Sequence, residues 1–462
     1  MTGPAPASAP RPCAAVILAA GEGTRMRSDR PKALHEVGGF PMLAHVLGVV
    51  QALQAERTVL VVGAGGDQVA EAARALAPGL RAVEQTQRRG TAHAALQARV
   101  ALDGFAGDVF ILYADTPLIR PETLARMAEA RARGAAVVVL GFEAQDPTGY
   151  GRLILGPDGD LAEIVEHKEA TDAQRAVAFC NSGVMCVDAA QLWPLLAQVR
   201  DDNAKGEFYL TDLVALARAA GRKAAAIACP QAETLGVDSR AGLARAEAAF
   251  QDRARAAAME GGATLTAPDT VFFALDTRLG RDVTVGPNVV FGPGATVEDG
   301  ARIRAFSHIE GARIAAGATV GPFARLRPGA VIGERAMVGN FVEVKNAVLG
   351  EGAKASHLTY LGDAEIGPGT NIGAGTITCN YDGFLKHRTQ IGAGAFIGSN
   401  TALVAPVSVG AGASIGAGAV LTEDVPDDAL ALARAPQVTR PGAAARLRRR
   451  LAERKAGRDA AE

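Results

Sequence analysis

The sequence predicts an α/β protein built from two unlike halves, and three observations predict it. From about residue 13 to 240, short β-branched runs alternate with Ala-, Leu- and Arg-rich stretches of helical character. After about residue 263 that alternation stops, and an aliphatic or aromatic residue recurs at every sixth position. The chain is also 462 residues long, more than one ordinary core organises, so two domains are expected.

In the first half the apolar runs include "TVLVV" (58–62), "DVFILY" (108–113), "AVVVL" (136–140) and "GVMCV" (183–187). The helical stretches include 66–77 and 121–133. Buried apolar runs separated by helices imply a mostly parallel sheet covered on both faces, a Rossmann-like nucleotide-binding domain over residues 13–238. Residues 1–12, "MTGPAPASAPRP", lack an apolar signal core and read as a disordered tail. The stretch "SRAGLARAEAAFQDRARAAAME" (239–260) puts apolar residues on one helical face and is closed by Gly261-Gly262, so 239–262 reads as a linker helix.

The second domain is expected over 263–437. Val285, Phe291, Val297, Ile303 and Ile309 are in step. A one-residue deletion resets the phase to Ile314, Val320, Leu326, Ile332, Val338 and Val344. Later resets give Leu349, Ala355 and Leu361, then Ile366, Ile372 and Thr378, and finally Ile391, Ile397, Leu403, Val409, Ile415 and Leu421. A period of six held over about 135 residues is not helical; it marks a hexapeptide-repeat left-handed parallel β-helix, whose stacked coils bury the repeated position. The interruption "CNYDGFLKHRTQ" (379–390) cannot follow the coil and should loop outward, where function often resides.

Composition excludes several classes. Lys and Arg number 48 against 49 Asp and Glu, so nothing in the overall charge points to nucleic acid or a membrane surface. The exception is the tail 438–462, with "RLRRRLAERK" at 446–455, which reads as a solvated helical or disordered end. No apolar run is long enough to span a membrane. Five scattered cysteines, without a CxxC pair, fit a reducing cytoplasm rather than a disulfide framework or a zinc site.

The loop "LAAGEGTRM" (18–26) follows the apolar run Ala14–Ile17. It is neither a Walker loop, which needs Gly-x4-Gly-Lys-Ser/Thr, nor a dinucleotide loop, because Met26 stands where the third glycine would be. Backbone N–H groups beside Thr24, Arg25 and the nearby Lys32 suit a polyphosphate. "YADTPL" places Asp115 just past a strand, at the end of the sheet where ligands bind and where a carboxylate is a natural Mg²⁺ ligand; capping of the next helix is the plainer role for that Asp.

"LAAGEGTRM…PK", "QTQRRGTAHA" (85–94), "YADTPL", "PTGYGR" (147–152), "IVEHKEAT" (164–171), "NSGV" (181–184) and "KGEFYLTD" (205–212) occur in this order. In them the chain resembles the sugar-phosphate nucleotidylyltransferases. With the hexapeptide half it resembles the bacterial family of bifunctional N-acetylglucosamine-1-phosphate uridylyltransferases and glucosamine-1-phosphate acetyltransferases, over roughly residues 14–440. The resemblance implies that Leu18, Ala19, Ala20 and Gly21 hold UTP, with Tyr113 and Ala114. Arg25 and Lys32 would act catalytically by neutralising phosphate. Gln85, Gly90 and Thr91 would read the uracil. Gly151, Glu166 and Asn181 would bind the sugar. Asp115 and Asp238 would hold Mg²⁺; the family carries Asn at the second position, in "GVNNR", whereas this chain has "GVDSR". Glu22 is acidic where a base would seem natural, and is expected to face solvent.

In the second half, Arg327 in "GPFARLRPGA" and Lys345 in "NFVEVKN" are separated by one full coil of 18 residues. Two cations stacked one coil apart make a phosphate clamp. Acetyl transfer from a thioester to an amine needs a base near neutrality, and His357, in "SHLTYLGDAEIG", fits. The repeat register is expected to gather Lys345, Tyr360 and Asn371 around it. The resemblance agrees: His357 is the catalytic base, and Arg327, Lys345, Tyr360 and Asn371 bind the sugar phosphate. Ala374, Asn380, Tyr381, Ser399, Ala417 and Arg434 would hold acetyl-CoA. Either an N–H near Ala374 or the Ser399 hydroxyl could receive the oxyanion.

The resemblance implies a cytoplasmic homotrimer that uses glucosamine-1-phosphate, acetyl-CoA and UTP to make UDP-N-acetylglucosamine, a precursor of peptidoglycan and lipopolysaccharide, without nucleic-acid or membrane partners. The alternative is a monofunctional sugar-1-phosphate nucleotidylyltransferase with a structural β-helix; that reading predicts neither a base histidine nor the Arg/Lys pair. A nucleotide-sensing scaffold would be expected to lack Asp115 or Lys32.

Overall fold

The computed structural model describes residues 11–203 and 205–459. Most of the tail expected at 1–12, residues 1–10, therefore lies outside the described residues, as do 460–462. The chain divides into two compact units: residues to Arg278 together with Val290–Ala295, and Leu279–Val289 together with residues from Thr296 on.

The first unit is a seven-membered sheet with an appended hairpin. Its strands are β1 (Cys13–Ala19), β2 (Arg57–Gly63), β3 (Arg81–Gln85), β4 (Asp108–Tyr113), β5 (Val137–Glu143), β6 (Arg152–Leu155), β7 (Leu161–Val165), β8 (Phe179–Asp188) and β9 (Ala224–Cys229). The order across the sheet is β9-β5-β8-β4-β1-β2-β3, with the antiparallel pair β6 and β7 attached through β8. All neighbours in the path are parallel except β8, which runs antiparallel to both β4 and β5. The sheet is thus mostly parallel, as expected. Both faces are buried because side chains alternate along each strand: Ala14, Val16 and Leu18 point into one core, Ala15 and Ile17 into the other.

Helix Arg240–Glu260, expected as a linker, packs into this unit. Its Ala246 and Phe250 join Met26, Val37, Met42, Leu118 and Val237 in a third cluster. Gln251 makes a reciprocal pair of 2.8 Å hydrogen bonds with the backbone N–H and carbonyl of Phe273. The first unit also holds a buried ion network. The Arg131 guanidinium meets Asp108 at 3.2 Å and Asp188 at 2.6 Å, and Arg11 reaches the same two carboxylates at 3.4 and 3.0 Å. Burial pushes the Asp108 carboxyl up, and this outweighs the pull of Arg131 and Arg11 in the other direction.

The second unit is a parallel β-helix of the left-handed hexapeptide kind, built of two- and three-residue strands except for the nine-residue strands Met337–Lys345 and Lys354–Gly362. Val285 pairs with Ile303, which pairs with Val320, and so on through Val338, Ala355, Ile372, Ile397 and Ile415. The repeated positions are buried. Each phase reset in the sequence is a coil of 17 residues instead of 18, as from Ile303 to Val320. The outward loop lengthens one coil to 25, from Ile372 to Ile397, and the chain rejoins in register at Thr389, beside Ala364. One corner is turned with positive φ by Phe306, Phe323, Phe341 and Leu358. The three rings stack at 4.9 and 5.2 Å and stand about half exposed.

Helix Ala443–Asp459 ends the described chain, with the side chains from Ala444 to Arg458 exposed. No helix among the described residues is long and apolar enough to cross a membrane.

Candidate active sites

The carboxyl ends of β1 and β4 open into a cleft of about 480 Å³. Leu18, Ala19, Ala20, Gly21, Lys32, Gln85, Gly90, Thr91, Tyr113, Ala114 and Asp115 all line it. These residues come from three separated stretches of sequence, and two tight approaches pack the first two of them. A Cβ on Gly23, which has a φ of +66°, would lie 2.8 Å from Lys32 Cβ, so the loop can lie against the lysine stem only without a side chain. At Gly90, with a φ of +108°, a Cβ would lie 2.4 Å from the Phe208 carbonyl oxygen. The base-reading stretch and "KGEFYLTD" are thereby joined, with Ala92 N–H donating to Phe208 at 3.0 Å.

Lys32 is the charge beneath the loop. Its ammonium pairs with Asp115, and it lies 3.8 Å from where a Cβ on Gly21 would be. Arg25 does not line the cleft; it is largely exposed and pairs with Asp238 at 2.6 Å. Val237 N–H donates to the Asp115 carbonyl at 2.9 Å, which brings the chain carrying Asp238 beside Asp115. Glu22 is exposed as expected, but it is held by Arg88, whose Nε also donates to the Ala20 carbonyl at 3.1 Å. Arg88 is a cleft cation that the sequence reading missed. Its only signal was a pair of arginines inside "QTQRRGTAHA".

Gly151, Glu166 and Asn181 form a neighbouring group outside the residues that line the cleft. Asn181 N–H donates to the Gly151 carbonyl at 2.8 Å, and a Cβ on Gly151 would sit 3.4 Å from Glu166 Oε1. The pairing of β8 with β5 slips between Asn181 and Met185, a bulge that turns "NSGV" toward Tyr113. Tyr113 links the two groups: burial raises its phenol strongly, and the charges of Asp115 and Glu166 raise it further. Burial also raises the Glu166 carboxyl, helped by Glu169 and opposed by Lys205.

The second group lies on the β-helix. Asn340, His357 and Ala374 follow one another up one line, just before the positive-φ corner: Asn340 is the register partner of His357, and Gly375 N–H donates to Leu358 at 3.0 Å. Asn400 N–H donates to Ala374 at 2.7 Å and Gly418 N–H to Ser399 at 2.8 Å, so the line continues through Ser399 and Ala417. Arg434 closes it by donating to the Ala417 carbonyl at 2.7 Å. The residues nominated for acetyl-CoA, apart from Asn380 and Tyr381, therefore form one column leading to His357.

Past the corner, Arg327 pairs with Glu343 at 2.8 Å. Glu343 is the register partner of Tyr360, and Lys345 that of Gly362. The Tyr360 hydroxyl and the Asn380 amide lie over Gly362. Lys386, from the outward loop, comes close to Lys345 and pushes the Lys345 pKa down, with the charge of Arg327 adding to the effect. Lys386 was also missed, although its loop had been singled out. Asn371 stands apart from this cluster. Within one chain it pairs in register with Lys354 and Phe396, because the coil places it three residues before the level of His357, so the expected ring of residues around His357 is not formed by it.

Residues 15–263 match the MobA-like NTP transferase domain. Residues 276–311, 311–346 and 388–423 match the bacterial transferase hexapeptide of six repeats. The chain is 62% identical over 432 residues to the bifunctional protein GlmU of Cereibacter sphaeroides, covering 94% of this chain and 95% of that one. It is 62% identical over 437 residues to the GlmU of Rhodospirillum rubrum, covering 94% and 97%. Against the GlmU of a Jannaschia species the figures are 57% over 443 residues, 96% and 97%. The chain belongs to the bifunctional GlmU family. The NTP transferase match contains the cleft residues, and the hexapeptide matches lie on either side of His357, containing Arg327, Asn340 and Lys345 before it and Ser399 and Ala417 after it. The chain is a transferase with two active halves.

Proposed function

We propose that the second half acetylates glucosamine-1-phosphate with acetyl-CoA, and that the first half then transfers UMP from UTP to the resulting N-acetylglucosamine-1-phosphate. The products are UDP-N-acetylglucosamine and pyrophosphate. The observation that carries this reading is the coexistence of a phosphate-loop cleft and a His357 column on one chain that matches bifunctional GlmU proteins almost end to end.

In the cleft, a sugar-phosphate oxygen attacks the α-phosphorus of UTP, the bond to the β-phosphate breaks, and pyrophosphate leaves. Both reactants are anions, so fixed positive charge lowers the barrier. Lys32 and Arg88 supply it from the cleft lining, and Arg25 adds to it from beside Asp238. Gln85, Gly90 and Thr91 hold the base, and Gly151, Glu166 and Asn181 hold the sugar. Asp115 and Asp238 are hard oxygen donors on adjoining chain segments, each balanced by a cation, and they would hold a magnesium ion. Such an ion neutralises phosphate charge when bound. On the β-helix, His357 takes a proton from the substrate ammonium, and the free amine so formed attacks the thioester. The nitrogen–carbon bond forms, the carbon–sulfur bond breaks, a second proton passes from nitrogen to the departing sulfur, and coenzyme A leaves as a thiol. Arg327, Lys345 and Lys386 bind the phosphate, with Tyr360 and Asn371. Ala374, Asn380, Tyr381, Ser399, Ala417 and Arg434 hold the acetyl donor.

The ladder Phe306, Phe323, Phe341 and Leu358 is a continuous exposed apolar stripe, which supports a trimer packed along it. In a trimer, Asn371 would complete the site of a neighbouring copy. Five unpaired cysteines fit a reducing cytoplasm. Residues 13–238, 239–262 and 263–437 serve as transferase domain, connector and acetyltransferase domain.

The deciding assay is free-thiol release from acetyl-CoA without UTP. Thiol is expected only when glucosamine-1-phosphate is present, and pyrophosphate only when UTP and the acetylated sugar are both present. Thiol release with no dependence on the amino sugar overturns the acetyltransferase reading. A pH effect follows from Glu166. Burial favours its neutral form, so it loses its acceptor charge at a pH above the ordinary 4.5 of a Glu. The KM for N-acetylglucosamine-1-phosphate is expected to rise on acidification through that range, and this rise is expected to vanish in Glu166→Gln.

A further inference from the structure

We propose that Asn340 is a positioning residue for acetyl transfer: it fixes the tautomer and the ring direction of His357. The proposal rests on the reading of His357 as the base. His357 Nδ1 lies 2.6 Å from Asn340 Oδ1. A carboxamide oxygen can only accept, so Nδ1 carries the proton and the lone pair is left on Nε2. Nε2 is then the one ring atom able to take a proton from an amine.

The coil geometry makes this contact a property of the fold. Asn340 and His357 are register partners on adjacent coils, each placed one residue before the positive-φ corner residues Phe341 and Leu358. Side chains at equivalent positions of neighbouring parallel strands project in the same direction, about 4.8 Å apart, which a hydrogen bond between an amide and an imidazole spans. The backbones beneath them are in close contact: a Cβ on Gly339 would fall 1.9 Å from the Ser356 carbonyl oxygen. Neither strand can slide without breaking that packing. His357 is itself exposed, so without Asn340 nothing described around the ring dictates its orientation.

The chemistry also accounts for an amide rather than a carboxylate here. A carboxylate would orient the ring equally well, but it would raise the imidazole pKa and leave the base protonated at neutral pH. A neutral acceptor orients without that cost. The charged groups of the neighbouring coils, Arg327, Glu343, Lys345 and Lys386, lie past the corner or on the outward loop and are common to all variants compared.

The test uses the full-length chain, with thiol release and pyrophosphate release measured on each preparation. Asn340→Leu is expected to lower kcat for acetyl transfer by about tenfold to a hundredfold, while KM for both substrates and uridylyl transfer stay within about twofold. Asn340→Asp keeps the acceptor. It is expected to restore most of kcat at high pH, with the acidic limb of kcat/KM displaced upward by about one pH unit or more. Should His357→Ala abolish acetyl transfer while both Asn340 variants keep the native kcat and pH profile, the base assignment stands and the Asn340 proposal falls. Retained activity in His357→Ala overturns both. If Asn340→Leu fails to fold, the upward shift of the acidic limb in Asn340→Asp supports the proposal and an unshifted limb overturns it.

Discussion

Replacing Lys32 by Met is expected to lower uridylyl transfer by roughly 100- to 1,000-fold, with acetyl transfer by the same preparation unchanged within about twofold. The size follows from where the ammonium sits. It is beneath the loop, close to Gly21, and it is mostly shielded from water, where a fixed charge acts on a developing phosphate charge with little screening. Before substrate arrives, its pairing with Asp115 keeps two opposite charges satisfied in a half-buried place. The substitution removes one of them and strands the other. Lys32→Arg is a second useful variant. The guanidinium is larger, and the closeness of Gly23 to the lysine stem leaves little room for it, so only partial recovery is expected. Pyrophosphate release in steady state measures the loss, and thiol release on the same sample is the internal control.

The largest expected effect on stability lies far from either site. Arg131→Met is expected to destabilise the first unit by about 3–5 kcal/mol, because it removes the buried partner of Asp108 and Asp188. Arg11 still reaches both carboxylates but is much more exposed, so it compensates only in part. The pH dependence has a definite sign. Burial raises the Asp108 carboxyl in the folded chain, so the folded state holds the proton more tightly than the unfolded state. Acidification between the raised value and the ordinary 3.8 therefore favours folding through this group, and the deficit of the variant is expected to shrink as pH falls. Urea unfolding followed by circular dichroism, read on the transition of the first unit, measures it. Adding Asp108→Asn to Arg131→Met should recover part of the loss.

Much of this was legible in the sequence because it was periodic or local. The six-residue phase located the coils, and its resets correspond to the 17-residue coils. The phosphate loop was legible because Gly21, Gly23, Thr24 and Arg25 stand together just after an apolar strand. What was hidden depends on pairing at long separation. Alternation along β8 is the same whether its neighbours run parallel or antiparallel, so its reversed direction had no local sign. Arg131, Asp108 and Asp188 look like three unrelated surface charges until the sheet brings them together. Asn340 occupies a repeat position where polar side chains ordinarily face water, and only the coil above it gives it a partner. Lys386 joins Lys345 because the outward loop folds back, which a loop sequence does not state.

The stacked coils have a consequence for cooperativity. Each coil is stabilised only by the coil before it and the coil after it, so the second unit is close to a one-dimensional chain of coupled segments. Fraying begins at the ends of such a chain and its probability falls toward the middle. Arg327, Lys345, His357 and Ala374 all lie on interior coils, more than two turns from the first strand at Thr284–Val285 and from the last at Leu430–Ala431. The base and the phosphate-binding cations are therefore placed where thermal opening reaches last, whereas Ala417 and Arg434 stand near the end that frays. A lesion near either end can loosen its own neighbourhood while leaving the alignment of His357 with the coil beneath it intact.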